Sequence, residues 1–290
     1  MSAADSALDS PMDPARRRAA SIIAAFALAG LMIIASLAGI LVPSLYVRES
    51  ANWAAQAVGQ DWMDLLLAAP WLAGTGVLAW RGSREGLPLL AGGLLYAVYT
   101  LVIYAFGMHF NAMFLVYCAA LGTSFFALGG VMLSLLEAST ARRAGGFPAN
   151  TAGYFLIAVG SLFALAWLGE IIPAIFWNVE PGAIARAGTP TNPVYVMDLA
   201  VILPLHVVTG AALLRGRPMG SRLAPVVLTF GVLMALSIAG MTVVMRIHGE
   251  DAHLGVAAGM TAVAMMSSAV LFLLLRRPSP PHRAGARAHE

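Results

Sequence analysis

Apolar positions fall into eight runs, near 20–42, 62–80, 87–107, 112–136, 152–176, 197–214, 223–245 and 252–275. A helix needs about 20 such residues to cross a bilayer, so each run predicts a membrane-spanning helix. The runs 62–80 and 197–214 are short and carry one proline each, Pro70 and Pro204. The first run is too long for a signal-peptide core, and no small-x-small cleavage site follows it. It reads as an uncleaved anchor helix. Between runs, 43–61 holds Glu49, Trp53, Gln56 and Gln60 and suits an amphipathic helix on the outer surface. The segment 177–196, with Pro181, Pro190 and Pro193, suits a semi-rigid cover.

The pattern repeats. Met63, Asp64, Leu65, Pro70, Thr75, Gly76, Arg81, Gly82 and Gly86 return 134 residues later as Met197, Asp198, Leu199, Pro204, Thr209, Gly210, Arg215, Gly216 and Gly220. A duplicated unit with an even number of helices enters the bilayer twice from the same side. The expected fold is therefore all-α, with eight transmembrane helices in two parallel four-helix repeats. The expected organisation is a disordered tail at 1–19, a first repeat at 20–136, a linker at 137–151, a second repeat at 152–275 and a disordered tail at 276–290. Gly39 and Pro43 align more weakly with Gly169 and Pro173.

Composition agrees: of 290 residues, 60% are hydrophobic and 11% charged. A soluble domain carries about 25% charged residues. All seventeen basic residues are arginines. In an eight-span arrangement fourteen of them fall on one side, and only Arg48, Arg186 and Arg246 on the other. The positive-inside rule then puts both termini in the cytoplasm. The formal charge of +3 points to membrane orientation and to no nucleic-acid partner. The single cysteine, Cys118, leaves no intramolecular disulfide and no cysteine cluster.

The repeated residues have structural roles to fill. Asp64 and Asp198 are expected to begin their helices at the outer face and accept free backbone N–H groups, while Arg81 and Arg215 close the same helices. Gly76 and Gly210 permit close packing. Pro70 and Pro204 should free the carbonyls of Leu66 and Ala200 and kink the helix. The same aspartates are also candidate solute- or ion-binding groups on a central cavity, because carboxylates and freed carbonyls beside a broken helix bind cations and polar solutes.

Polar residues in only one copy of the repeat are the sharper candidates. Glu170 and His206 stand inside spans, where ionisable groups are costly and functional by default. Counted along their helices they lie about 9 Å and about 12 Å below the outer surface. They are expected to meet in an outward-facing cavity as a substrate- or ion-binding pair. Tyr96, Tyr99 and Tyr104 are candidate cavity-lining residues. His109, His248 and His253 sit with carboxylates in outer turns and are candidate metal ligands, although their spacing matches no established zinc motif. Gly255 and Gly259 form a Gly-x-x-x-Gly step that suits close helix contact or a homo-oligomer.

The stretches Tyr104–Tyr117 and Val194–Gly220 resemble those of uncharacterised bacterial eight-helix integral membrane proteins. Val-Tyr-Val-Met-Asp-Leu followed by Pro204 and an arginine-rich turn is the most specific part. The resemblance implies a multi-pass protein of the bacterial cytoplasmic (inner) membrane. It brings no established activity, so no residue role carries over. The chain has no phosphate-binding Walker loop, zinc-protease or nucleophile-elbow motif and no arginine-rich voltage-sensing helix. No cofactor is identified. What remains is binding or transport of a small polar solute or ion, with a membrane-embedded enzyme or a non-catalytic subunit or sensor as the alternatives.

Overall fold

The computed structural model describes residues 13–137 and 146–276. The remainder of the expected tails and linker, including Arg142, Arg143, Arg277, Arg283 and Arg287, lies outside the described residues. Among the described residues, eight helices are long and apolar enough to cross a membrane: α1 Pro14–Leu41, α2 Ala51–Trp80, α3 Gly86–Gly107, α4 Phe114–Glu137, α5 Phe147–Trp177, α6 Pro193–Leu214, α7 Pro218–Ile247 and α8 Leu254–Leu275. A short helix, Gly182–Ala187, lies between α5 and α6.

In α1, Asp13 caps the first turn by accepting from the Ala15 N–H, with Pro14 behind it. One stripe of α1, including Ile22, Ala25, Leu28, Ala29 and Met32, is buried. Its other face exposes Ile23, Ile34 and Leu41. A helix apolar all round but buried along one stripe needs an apolar medium on the other side, so α1 faces lipid.

The helices pack as two rings. In the first, α1 packs on α2, α2 on α3, α3 on α4 and α4 back on α1. In the second, α5 packs on α6, α6 on α7, α7 on α8, and α8 more sparingly on α5. The rings meet where α3 lies against α7. There a Cβ on Gly92 would stand 2.7 Å from the Val226 carbonyl oxygen, so only glycine lets these backbones approach.

Residues 134 apart do the same local work. A Cβ on Gly76 would meet the Phe26 ring of α1 at 3.0 Å, and one on Gly210 the Gly153 carbonyl of α5 at 2.6 Å. Gly82 and Gly216 follow their helices with φ of +77° and +63°, the left-handed closing position that favours glycine. The arginine-rich ends also cluster: the Arg18 guanidinium donates to the Ala79 carbonyl at 2.7 Å. Arg17 pairs with Glu137, so the start of α1 meets the ends of α2 and α4.

Helix α2 departs from expectation. It begins at Ala51, capped by Ser50, whose Oγ accepts from the Trp53 N–H at 3.1 Å. Residues 51–63 do not lie on the outer surface. They continue the spanning helix and pack on α7, where a Cβ on Gly59 would be 2.9 Å from Met241 Cα. Asp64 therefore sits within the helix, and Asp198 follows the helical turn Pro193–Met197. Neither caps a helix start, because the residues before each aspartate are themselves helical.

Candidate functional site

Each of these aspartates opens a π-helical turn, Asp64–Ala68 in α2 and Asp198–Ile202 in α6. The Ala69 N–H reaches back to the Asp64 carbonyl, and the Leu203 N–H to that of Asp198, each spanning one residue more than an α-turn. Pro70 and Pro204 follow in the first turn of the resumed α-helix. A proline ring clashes with the carbonyl four residues back in a regular α-helix. The wider turn supplies the adjustment, so the expected disruption takes the form of a π turn beginning at the aspartate.

The side chains that meet these carboxylates come largely from α3. Tyr96 donates to Asp64 Oδ1 at 2.8 Å, joined by Gln60 Nε2, also at 2.8 Å. Tyr99 donates to Asp198 Oδ1 at 3.0 Å, and Trp167 Nε1 to Asp198 Oδ2 at 2.8 Å. Tyr104 donates to Asp61 Oδ1 at 2.8 Å, while Tyr46 takes Oδ2 at 2.7 Å. Burial, and then the Asp61 carboxylate, push the Tyr46 hydroxyl far above its ordinary range, which keeps it a donor. Three tyrosines on one helix thus serve three aspartates, two of them buried in the first ring.

Asp61 was not among the sequence candidates. The signal that existed was for its helix: Asn52, Gln56, Gln60 and Asp64 follow at steps of four and form a polar stripe on one face, and Asp61 lies beside that stripe rather than in it. In the structure Gln56 Nε2 donates to Asn52 Oδ1 at 2.7 Å along that stripe.

A cavity of about 530 Å³ lies in the second ring. It is walled by α3, α5, α6, α7 and α8 and by the N-terminal part of α2, whereas α1 and α4 contribute nothing. Its end away from the arginine-rich helix ends carries Asn52, Arg186, Asn192, Asp251 and His253. It extends as far as Ser267, thirteen residues into α8, or about 20 Å along the helix axis. Most of its wall is apolar, with Phe155, Val159, Phe163, Met234, Met241 and Met260. Gln60, Tyr99, Trp167, Glu170, Asp198 and His206 supply polar atoms. Residues of the segment 177–196 line that same end, and the segment is tied to the first ring, because Ser50 Oγ donates to the Arg186 and Ala187 carbonyls, each at 2.9 Å.

Glu170, His206 and Asp198 therefore share one cavity with Tyr99 and Tyr104, while Asp64 and Tyr96 are buried outside it. Glu170 and His206 are not hydrogen-bonded to each other. His206 Nδ1 lies 2.8 Å from the Ile202 carbonyl of its own helix, and Glu170 Oε1 accepts from the Ala183 N–H at 3.4 Å. Gly160 lets α5 approach His206, for a Cβ there would lie 2.9 Å from His206 Cβ.

The histidine cluster does not assemble. His109 pairs with Glu49, its Nδ1 3.0 Å from Oε2, and His248 Nδ1 lies 2.9 Å from the Val244 carbonyl. Only His253 reaches the cavity mouth. Among the described residues no three His, Cys, Asp or Glu side chains are grouped to hold a metal. His109 stands on the turn between α3 and α4, whereas His248 and His253 share the turn between α7 and α8.

Compared with protein-family models, curated proteins and solved structures, the chain matches none.

Proposed function

We propose that this multi-pass membrane protein binds a small solute in the second-ring cavity, taking it from the outer face of the bacterial inner membrane. The two rings are read as parallel four-helix repeats, with the arginine-rich ends and both termini in the cytoplasm. Matching ring order and π turns 134 residues apart support that reading, as does the arginine distribution. One repeat has kept a closed polar core around Asp61 and Asp64. The other has opened to form the site.

The observation that carries the binding role is the cavity itself. Its volume of about 530 Å³ falls within the roughly 300–1,000 Å³ of small-molecule sites. Its few polar groups include Asp198, Glu170 and His206, with Tyr99 and Trp167 meeting at Asp198, the usual division between an apolar wall and orienting polar atoms.

Native mass spectrometry of the full chain in mild detergent, beside Val159→Trp, tests this. Val159 lines the cavity, and the larger ring should fill it. The expected result is a small-molecule adduct on the wild type that is absent from the variant. Identical spectra, with both proteins equally folded, would count against a binding role.

A further inference from the structure

Resting on that binding role, we infer that the occupant is a monovalent organic cation with an apolar body, and that Asp198 is its counter-ion. The cavity carries three carboxylates, Glu170, Asp198 and Asp251, against one guanidinium, Arg186, which is exposed at the mouth. Asp198 is gripped by two neutral donors, the Tyr99 hydroxyl at 3.0 Å and the Trp167 indole N–H at 2.8 Å. Each carboxylate oxygen has a second acceptor direction beyond these bonds. Among the described residues no arginine or histidine forms an ion pair with Asp198 or Glu170. A half-buried carboxylate in an apolar surround is stabilised by a positive partner, and here the open side is the cavity.

The walls favour the same class. The Trp167 and Tyr195 rings stand 4.9 Å apart beside the aspartate, and Phe230 packs edge-on to Tyr99 at 5.7 Å. Aromatic faces attract cations, and the surrounding methionines adapt to apolar shapes of different outline. An organic anion would face the carboxylates. A bare metal ion would lack a grouped ligand set, and a neutral solute would leave Asp198 without its counter-charge.

The test uses two ions of one shape and opposite charge, tetraphenylphosphonium and tetraphenylborate. Binding of each is measured on immobilised full-length protein in mild detergent, with empty micelles subtracted. The wild type should bind tetraphenylphosphonium saturably and tetraphenylborate not at all. Asp198→Asn should weaken the cation at least tenfold, Glu170→Gln several-fold, and Glu85→Gln, at the opposite end of the molecule, not at all. If Asp198→Asn does not fold, the wild-type charge preference and Glu170→Gln still decide. Equal binding of both ions, lost together in Val159→Trp, would overturn the cation inference while leaving the cavity a binding site. Saturable binding of neither ion would overturn it too, and the native adduct would then judge the binding role separately.

Discussion

The Tyr99 hydroxyl and the Asp198 carboxylate meet at 3.0 Å across the seam between the two helix rings. Tyr99 belongs to a helix of the first ring and Asp198 to the second, so the first ring shapes the wall of the cavity. A hydrogen bond to a charged group contributes about 1.5–3 kcal/mol. Tyr99→Phe should lower stability by about that amount in a detergent thermal-unfolding assay and weaken cation binding. If binding stays at the wild-type level, Asp198 does not need this partner to be oriented.

The closed core of the first ring makes a second expectation. Asp61 accepts from both Tyr46 and Tyr104, so Asp61→Ala takes this acceptor from two buried hydroxyls and leaves Tyr104 only the Ala57 carbonyl at 3.1 Å. Each unsatisfied group costs about 1–3 kcal/mol. Thermal unfolding should show a large loss for Asp61→Ala and a smaller one for Asp61→Asn, which keeps an acceptor. Equal losses would mean that charge, rather than hydrogen bonding, is what this core requires.

Gly39 and Gly169 align weakly in sequence but differ in surroundings. A Cβ on Gly39 would run into the Asp61 carboxylate and stand 2.6 Å from the Tyr46 hydroxyl, whereas one on Gly169 meets nothing within 4 Å. Gly39→Ala should therefore reduce folded yield sharply. Gly169→Ala should leave it unchanged or raise stability by up to about 1 kcal/mol, the helix-propensity difference. Size-exclusion profiles of the two variants check this, and similar profiles would contradict the packing around Asp61.

Orientation is open to cysteine labelling in whole cells, in a Cys118→Ala background. Ser83 lies at the arginine-rich end and Asp251 at the cavity end. A membrane-impermeant maleimide should label Asp251→Cys and spare Ser83→Cys until the cells are opened. The reverse pattern would turn the cavity to the cytoplasm.

Eight spans were legible in the chain because transfer into lipid is additive over about 20 neighbouring residues, so a run of apolar side chains suffices to place a helix. The start of α2 was not, because its polar stripe and Ser50 cap lower the mean hydropathy that marks a span. That stripe is tolerated since Asn52, Gln56 and Gln60 line the cavity and Asp64 meets Tyr96 of α3, which hydropathy along one segment does not register. The same blindness hid Asp61, whose partners lie 15 and 43 residues away.

Glu170 and His206 were named from the cost of ionisable groups in a membrane, and Asp198 from its counterpart Asp64 and the proline-broken helix beside it, all read along the chain alone. That Asp198 faces Tyr99 and Trp167, that His206 turns to its own backbone, and that one ring opened while the other closed were decided by the tertiary structure. Hydrogen bonds are directional and fade within a fraction of an ångström. They depend on the rotation and spacing of packed helices, which arise only when all eight are assembled.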